Sequence, residues 1–420
     1  MTQNDIIKAA LKVWGRDLYR TTSLSQVAQE LGVSKPALYR HFSNKDALLD
    51  AMYTFFYDDF AGFMKNGYEN ALNAGDCHES FLIWIRAIGE YYVRNRETLL
   101  FSLVQVYNNR NKETLRTEFE LRGINFAHPA FRGSLTMPYP SKMQLTMATL
   151  LSCVAQFHHH DRENMGLPIE GTLQEDLVNK IVSGIEDRVI KGLNLDAQRV
   201  MAMNYETLEE RVTGTVYEDT ETNALLRAVA AAVAEAGPWN ASMEMVAQRS
   251  GLSKSGLYAH FKNKQDMLTQ LFITEFSTMA NFAKAQIENT SVFEEQLYVT
   301  IVSIVDYLRS RPEILLSLDW IKTGRLDLGK ELPLKLFQMI KSIKVEAIQN
   351  FDGTFLVRIA EWVLFMIVNT LALWPSNQGE NSTSAGNSQG KNWALKAAEV
   401  PNESFRLLFR YIALGLEGLN

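Results

Sequence analysis

The residues best suited to chemistry lie together on a short segment near the start of the chain. Lys35, Tyr39 and Arg40 fall within one short stretch that also contains Ala37 and His41. Lysine, arginine, tyrosine and histidine side chains bind phosphate oxygens and base edges, and a small residue lets a backbone approach closely. This segment is therefore a candidate surface for contacts with nucleic acid.

The same pattern occurs a second time in the other half of the chain. The segment SKPALYRHFSNKDALLDAMY begins at Ser34, SKSGLYAHFKNKQDMLTQLF begins at Ser253, and the two align without a gap. The second copy presents a matching polar set, which consists of Lys254, Tyr258, His260 and Lys264. One short match could be chance, but a polar set repeated in register indicates a duplicated unit.

Local signals place the first polar segment on the second helix of a pair. Ser23 and Gln26 have the spacing of a capping box, which predicts a helix that begins there. Gly32 is expected to end that helix at positive φ, and Ser34 to cap a short second helix over 35–42. Asp46 favours the start of a third, longer helix. Two short helices joined by a glycine-containing turn form a helix-turn-helix, whose second helix enters the major groove of DNA.

The apolar residues of the second helix predict which of its faces is buried. Leu38 and Phe42 are four residues apart, so they share one helix face that we expect to pack inward. Leu257 and Phe261 repeat this arrangement in the second copy. The polar residues are left to cover the opposite, accessible face.

Weaker matches extend the repeat beyond these segments. The stretch from Tyr92 to Leu103 resembles the stretch from Tyr307 to Leu318 when Tyr92 is aligned with Tyr307. Each half also ends on Gly-Leu-Asn, at 192–194 and at 418–420. The chain is therefore predicted to be two copies of one unit of about 200 residues, a usual size for one or two domains.

The rest of the chain has the 3.6-residue periodicity of helices, and no run alternates as a strand would. The fold class predicted is all-α. The periodic segments are Asp5–Trp14, Ser80–Arg94, Lys142–His158, Leu173–Leu193, Glu294–Arg309 and Glu403–Leu416.

Charge and cysteine content exclude several classes of protein. A net charge of −6 argues against indiscriminate coating of nucleic acid, although a small basic surface suffices for phosphate contacts. Cys77 and Cys153 form no CxxC pattern, and the beginning of the chain reads as an amphipathic helix rather than a signal peptide, so we expect a cytoplasmic protein. Phe355–Trp374 is long and apolar, but Arg358 and Glu361 interrupt it, which favours a buried helix over a membrane span.

Neither a metal site nor an enzyme is predicted. His158, His159, His160 and Asp161 are adjacent, and neighbouring residues of a helix point in different directions, so they rarely complete one metal site. The chain has no GxGxxG, phosphate-binding loop, HExxH or Ser/His/Asp arrangement. We therefore predict no cofactor, and the alternative to a DNA-binding regulator is a helical protein-interaction module with degenerate heads.

The repeated motif resembles the tetracycline-repressor (TetR) family of one-component regulators. The shared pattern is Ala-x-x-x-Gly-Val-Ser-Lys-x-x-x-Tyr-x-His-Phe-x-x-Lys, with Leu in place of Val in the second copy. In the first copy it is carried by Ala28, Gly32, Val33, Ser34, Lys35, Tyr39, His41, Phe42 and Lys45. In the second it is carried by Ala247, Gly251, Leu252, Ser253, Lys254, Tyr258, His260, Phe261 and Lys264.

This resemblance implies roles for individual residues. Phosphate contacts are implied for Tyr39 and Tyr258, His41 and His260, and Lys45 and Lys264. Approach to base edges is implied for Lys35, Ala37 and Arg40 and for their counterparts Lys254, Gly256 and Ala259. Contacts at the start of the preceding helix are implied for Thr22, Ser23 and Ser242, and the motif serines Ser34 and Ser253 complete the predicted DNA-binding surface.

The resemblance also implies a domain organisation. The predicted segments are a helix-turn-helix head at 1–48, a helical regulatory domain at 49–200, a linker at 201–219, a second head at 220–267 and a second regulatory domain at 268–420. Each regulatory domain would hold a small-molecule effector, and the aromatic residues proposed for the first pocket are Trp84, Tyr91, Phe101 and Tyr107. For most aromatic residues in these regions, ordinary core packing is the favoured interpretation.

The presence of two units in one chain predicts how the heads are paired. Members of this family usually act as homodimers, so one chain with two heads is expected to fold as an intramolecular pseudo-dimer; a dimer of chains with four heads is the alternative. Arg40 is replaced by Ala259 in the second head, so we expect the two heads to read unequal half-sites. Family resemblance favours a ligand-responsive repressor on double-stranded DNA.

Overall fold

The structure is a computed structural model, and it describes residues 2–16, 23–103, 112–125, 128, 140–162, 165–167, 172–212, 221–236, 241–288, 290–319, 353–373 and 396–419. The chain divides into two compact units. The first unit comprises Met1–Met137 and Ser141–Asp187, and the second comprises Pro138–Pro140 and Arg188–Asn420. Within the described ranges every regular element is a helix, which confirms the predicted all-α class.

The helices of the first copy follow the predicted periodic segments closely. They are α1 (Gln3–Arg16), α2 (Leu24–Glu30), α3 (Lys35–Tyr39), α4 (Lys45–Leu72), α5 (Cys77–Arg94), α6 (Arg96–Phe101), α7 (Lys112–Glu120), α8 (Lys142–Gln156) and α9 (Glu175–Lys191). A π-helical turn, Phe157–Asp161, continues directly from α8. The last turn of α9 belongs to the second compact unit.

The remaining helices all lie in the second unit. They are α10 (Ala197–Ala202), α11 (Tyr205–Val212), α12 (Glu221–Ala236), α13 (Met243–Ser250), α14 (Lys254–His260), α15 (Lys264–Ile287), α16 (Phe293–Ser310), α17 (Pro312–Asp319), α18 (Gly353–Leu373) and α19 (Asn402–Leu414). None of the helices in the described ranges has the length and hydropathy needed to cross a membrane, and this includes α18.

Each head is a small three-helix core that the sequence specifies locally. In the first head, Val27 and Leu38 are fully buried and Phe42 is nearly so, which confirms the predicted inward face. Ser23 and Gln26 form the predicted capping box, with the Ser23 amide 2.7 Å from Gln26 Oε1. Apolar residues of α1 close the core, and they are Ile6, Ile7, Ala10 and Leu11. The second head repeats this plan, with Val246, Leu257 and Phe261 buried.

The glycines between the paired helices adopt the conformation that the sequence predicts. Gly32 has a φ of +65° and Gly251 a φ of +69°. An L-residue with a side chain adopts this left-handed conformation at a cost, so glycine ends each first helix and lets the chain turn into the reading helix.

The helices after the heads fix the structural register of the repeat. The Tyr91 hydroxyl donates to Asp59 Oδ2 at 2.9 Å, and the Tyr307 hydroxyl donates to Glu275 Oε2 at 2.5 Å. The two tyrosines hold the same position in helices α5 and α16, which both contain 18 residues. The sequence match had paired Tyr92 with Tyr307. The structure shows that this pairing was wrong by one position, because Tyr91 and Tyr307 occupy the same place.

The segment predicted as a linker at 201–219 contains helical structure that packs in the second unit. Helix α11 packs against α16, and its Glu209 is buried. Arg406 holds the Glu209 carboxylate through two hydrogen bonds of 2.7 and 2.8 Å, and the Tyr298 hydroxyl donates to the same group. The hydrogen bonds from Arg406 lower the pKa of Glu209 against the opposing effect of burial, so the carboxylate is charged where it meets Arg406.

Two glycines form a reciprocal close contact in the second unit. Gly192 follows the last turn of α9 with a φ of +58°, and Gly415 follows the last turn of α19 with a φ of +64°. A Cβ on Gly192 would overlap the Ile412 carbonyl and lie 2.6 Å from the Gly415 nitrogen. A Cβ on Gly415 would overlap the Ile190 carbonyl. Each helix end therefore lies against the backbone of the other.

Backbone hydrogen bonds join the two segments at this contact. The Leu193 amide donates to the Ile412 carbonyl at 2.8 Å, and the Leu195 amide donates to the Ala413 carbonyl at 3.1 Å. The sequence had matched Gly192 with Gly418. By position, the counterpart of Gly192 is instead Gly415, because each directly follows the last residue of its helix, whereas Gly418 lies three residues further on.

Candidate nucleic-acid interface

The reading helix of the first head carries its polar side chains on the accessible face. Lys35 and Arg40 are exposed, and Tyr39 has 45% of its surface exposed although it is a large aromatic residue. The Lys35 ammonium lies 5.8 Å from the centre of the Tyr39 ring, within the range of a cation–π interaction. Ala37 and His41 are half-buried on the flanks of this surface. An exposed ring beside an exposed cation suits contact with a phosphate backbone.

The reading helix of the second head presents a similar but not identical surface. Lys254 and His260 are exposed, and Tyr258 is 48% exposed. The Ser253 hydroxyl caps this helix by accepting a hydrogen bond from the Gly256 amide at 3.0 Å. Gly256 itself is half-buried close to this cap.

The equivalent serine of the first head does not cap in the same way. Ser34 occupies the N-cap position with an extended backbone, but its side chain makes no capping hydrogen bond, so the predicted cap is wrong in that detail. Pro36 stands in the first turn of α3, where its fixed φ preorganises the helix start without a side-chain cap. The second head has Ser255 at this place, and its hydroxyl lies 3.0 Å from that of Ser253.

A lysine begins the third helix of each head and is partly withdrawn from solvent. Lys45 and Lys264 are half-buried first residues of α4 and α15. Burial lowers the pKa of both ammonium groups, and at Lys45 the nearby Asp46 carboxylate opposes the shift. A phosphate bound beside either ammonium would replace water and would favour the charged form of the lysine. This fits the predicted role of both lysines in phosphate binding.

The sequence interpretation missed the residues that position these lysines. Asn44 caps α4, with its side-chain oxygen 2.8 Å from the Ala47 amide. Asn263 caps α15, with its side-chain oxygen 2.9 Å from the Asp266 amide. The signal was present in the sequence, because the same Asn-Lys pair recurs in the gapless alignment of the two motif segments.

Ion pairs within the heads use other basic residues. The Lys12 ammonium lies 2.8 Å from Glu30 and joins α1 to α2. Arg249 pairs with Glu235 and joins α13 to α12 in the second head. These pairs stabilise the heads by small amounts, since pairs at this exposure contribute about 0–1 kcal/mol. Lys12 and Arg249 thus hold helices of the heads together, whereas the cations on the reading helices are exposed and can reach DNA.

The other predicted site residues fall into three groups. Ser23 and Ser242 cap α2 and α13, where each side chain accepts from a backbone amide. Thr22 and Tyr107 lie outside the described residues. Trp84, Tyr91 and Phe101 are buried in the first unit, where Phe101 packs 5.2 Å from the ring of Tyr53 and Trp84 packs 5.7 Å from that of Tyr68.

The histidine cluster does not form a metal centre in the part of the chain that the structure describes. Within those ranges, no three histidine, cysteine or carboxylate residues come together as ligands would. His158 is instead buried, and its ring nitrogen Nε2 lies 3.0 Å from the Tyr92 carbonyl oxygen.

Comparison with known proteins identifies the class of these heads. A family model described as "Bacterial regulatory proteins, tetR family" matches residues 6–52 and 225–271, and these two ranges stand in the same register as the motif segments that begin at Ser34 and Ser253. The chain is 42% identical over 53 residues to a Bacillus subtilis (strain 168) protein named "Uncharacterized HTH-type transcriptional regulator YuxN". This match spans 13% of the chain and 18% of that relative.

A solved structure of the fatty acid degradation regulator FadR from Bacillus halodurans is also similar. It aligns with 45% of this chain and 98% of its own at 15% sequence identity, with a TM-score of 0.31. A likeness this weak carries no argument about the arrangement or the ligand of the present chain.

The two heads are thus helix-turn-helix DNA-binding modules. Each half of the chain therefore carries one helix-turn-helix head of the TetR type, and the Bacillus subtilis protein that it matches is named as a transcriptional regulator. The matched family is described as one of regulatory proteins.

Exchanging the residue that differs between the two reading helices should change how strongly each head binds DNA. Arg40→Ala is expected to weaken binding of a matched operator about tenfold and to relax base preference at one position, since a bidentate arginine contact contributes about 1–3 kcal/mol. Ala259→Arg should strengthen the weaker half-site. Fluorescence anisotropy at fixed salt measures both effects. Arg116→Ala, on α7, is the matched control. Equal losses on all DNA sequences would show that Arg40 contacts only phosphate.

Proposed function

We propose that the chain is a ligand-responsive repressor whose two unlike heads bind one imperfect palindrome as an intramolecular pseudo-dimer. The observation that carries this proposal is the duplicated reading helix, with Lys35 and Tyr39 exposed in one head and Lys254 and Tyr258 exposed in the other. Two such helices on paired heads can enter successive major grooves, with half-sites about one helical turn or more apart.

The DNA-binding residues stay part of this proposal. The lysine, tyrosine and histidine residues of each head would hold phosphates. Lys35, Ala37 and Arg40 would approach bases, as would Lys254 and Gly256 in the second head. The exposure of the lysines and tyrosines on α3 and α14 supports these roles, because groups that must meet DNA need to be accessible.

The glycine contact supports pairing within one chain. Residues 188–195 come from the end of the first copy, yet they lie in the second compact unit, against the last turn of α19. The Arg188 guanidinium also lies 5.1 Å from the centre of the Trp362 ring on α18. The end of the first copy thus reaches the helices at the end of the second, which is the pairing that a pseudo-dimer requires.

The number of chains on one operator distinguishes the pseudo-dimer from a dimer of chains with four heads. Sedimentation velocity of the full chain with an operator-length duplex should give a complex that contains one chain. Tethering makes pairing intramolecular, so the occupied fraction should follow simple one-to-one binding as the protein is diluted. Two chains on each duplex, with affinity that falls as the protein is diluted, would contradict the proposal.

Ligand response and repression complete the proposal. The regulatory domains would change the spacing of the heads when an effector binds, which shifts the population away from the DNA-bound state. We assign these domains to 49–200 and 268–420, and we place the protein with its DNA in the cytoplasm. A reporter gene behind a promoter that carries the bound site should be expressed less when the chain is present. Increased expression would instead indicate an activator.

A further inference from the structure

One buried histidine of the first unit has no part in the proposed DNA binding. His158 lies in the π-helical turn Phe157–Asp161 that follows α8, and only 7% of its surface is exposed. A π-helical turn widens a helix at some cost in stability and is often found at functional sites. The turn and its neighbours all lie in the first unit.

The hydrogen bond at one ring nitrogen fixes the chemistry of the other. Since a carbonyl oxygen only accepts, His158 Nε2 carries the proton and donates to the Tyr92 carbonyl at 3.0 Å. In the neutral ring, Nδ1 is then an acceptor. Burial lowers the pKa of His158 to about 4, so the ring is neutral at physiological pH. Nδ1 is buried, and no group among the described residues donates to it.

The surroundings of His158 hold one nitrogen of its ring and give the other no hydrogen-bond partner among the described residues. The Tyr92 hydroxyl donates to Ser102 Oγ at 3.1 Å, and the Ser102 hydroxyl donates to the Thr98 carbonyl at 2.7 Å. These hydrogen bonds hold the side chain of Tyr92, whose backbone carbonyl accepts from His158. The Phe157 ring, 5.0 Å away, supplies an apolar neighbour.

The charges near His158 restrict what could donate to it. Arg162 and Arg96 both act on His158 as nearby positive charges and lower its pKa further. Two cations disfavour an ammonium group as the donor, because like charges repel. A hydroxyl or an amide N–H has no such penalty. An acceptor that is buried without a partner costs free energy, and a bound donor would recover it.

The second copy lacks the polar residues that build this arrangement. In the structural register that superposes Tyr91 on Tyr307, Tyr92 corresponds to Leu308 and Ser102 corresponds to Leu318. Both leucines are buried. The hydrogen bond between the Tyr92 and Ser102 hydroxyls therefore has no counterpart at these positions of the second copy.

We propose that His158 Nδ1 is the polar anchor of an effector site in the first unit. The ligand class is an uncharged, mainly apolar molecule with one hydroxyl or amide N–H donor. The second copy has a single histidine in its sequence, His260 on the reading helix, so one chain binds one effector through this anchor. This inference rests on the proposed ligand response and adds the ligand chemistry, the residue and the stoichiometry.

Nitrogen NMR of the full chain, labelled at histidine, tests the anchor directly. The probes are phenol and indole, which donate, and their blocked analogues anisole and N-methylindole, which do not. His158→Gln assigns the His158 signals among the seven histidines. We expect at least one donor probe to shift the His158 Nδ1 resonance in a saturable way, at one equivalent per chain, and the blocked analogue to leave it unchanged.

Two variants separate the anchor from a merely structural role. His158→Phe should weaken binding of the responding donor probe about tenfold, the usual effect of one hydrogen bond, and should leave binding of its blocked analogue unchanged. Tyr92→Phe is the matched control, since it removes a hydroxyl from the same cluster but keeps the carbonyl that orients His158. If His158→Phe does not fold, the wild-type titration decides alone.

Three results would overturn the inference. They are an Nδ1 signal that no donor probe moves, a signal that blocked and donor probes move equally, and two equal sites per chain. Operator binding, measured on the same preparation without probes, reports separately on the proposed function. Loss of operator binding would contradict the DNA-binding role proposed for the heads and would not affect the conclusion about His158.

Discussion

Gly192→Ala is expected to lower the melting temperature of the chain by about 10 °C, from the sum of two costs. Gly192 has a φ of +58°, and a Cβ there would overlap the Ile412 carbonyl. The left-handed conformation costs alanine about 1–2 kcal/mol, and overpacking adds roughly 1–3 kcal/mol. For a domain of about 200 residues, each 1 kcal/mol lowers the melting temperature by about 2–4 °C. Thermal unfolding followed by circular dichroism measures the change.

Matched glycines separate the two causes of this effect. Gly415→Ala should be equally damaging, because Gly415 makes the reciprocal contact with Ile190. Gly123 has a φ of +83°, and a Cβ there would meet no atom of the described residues within 4 Å. Gly123→Ala should therefore show the conformational cost alone, about 4 °C. If Gly192→Ala melts at the temperature of Gly123→Ala, the close contact between the two helix ends does not form.

The double change Tyr39→Ala and Lys45→Ala is expected to reduce operator affinity about 100-fold. Both residues lie at the surface proposed to meet phosphates, Tyr39 on α3 and Lys45 at the start of α4. Because phosphate contacts are independent of sequence, the loss should appear on every DNA tested. The slope of log affinity against log salt should fall by about 1 for the lost lysine contact. Anisotropy titrations at several salt concentrations give both quantities.

A lysine on the same helix provides the control for this effect. Lys65 is exposed on α4, and at about 1.5 Å per residue it lies about 30 Å along the helix from Lys45. Lys65→Ala removes the same charge and should change neither the affinity nor the salt slope appreciably. An unchanged affinity in the Tyr39 and Lys45 double variant would refute the phosphate roles assigned to the first head.

The heads were predictable from the sequence because their structure is encoded locally. A capping box at Ser23, positive-φ glycines at Gly32 and Gly251 and a four-residue apolar spacing at Leu38 each depend on neighbours within one turn. The structure confirms all of these. Family comparison then matched both heads in the register that the repeat had indicated.

Features set by distant contacts were not predictable in the same way. The pairing of Gly192 with Gly415 joins the end of one copy to the end of the other, so no local pattern shows it. Glu209 lies in a polar stretch that resembles a linker until Arg406 and Tyr298 are seen around it. Sequence similarity aligns Tyr92 with Tyr307. In the structure, the tyrosine of the first copy that contacts a carboxylate, as Tyr307 does, is instead Tyr91.

The buried polar cluster of the first unit illustrates the same limit. Three adjacent histidines suggested either a metal site or a helix end, and neither interpretation gave His158 a particular partner. Its ring orientation depends on the Tyr92 carbonyl, 66 residues away in the chain. Only the folded structure shows that Nε2 binds this carbonyl and that Nδ1 has no hydrogen-bond partner among the described residues.

Selection of bound sequences from a random DNA library, by the purified full chain at a stated salt concentration, tests the central claim most directly. We expect an enriched motif of two related but unequal half-sites, about one helical turn or more apart, because the heads share lysine and tyrosine but differ at Arg40 and Ala259. Perfectly symmetric half-sites would contradict the divergence of the heads. No enrichment above non-specific binding would contradict sequence-specific regulation and would favour a protein-interaction module.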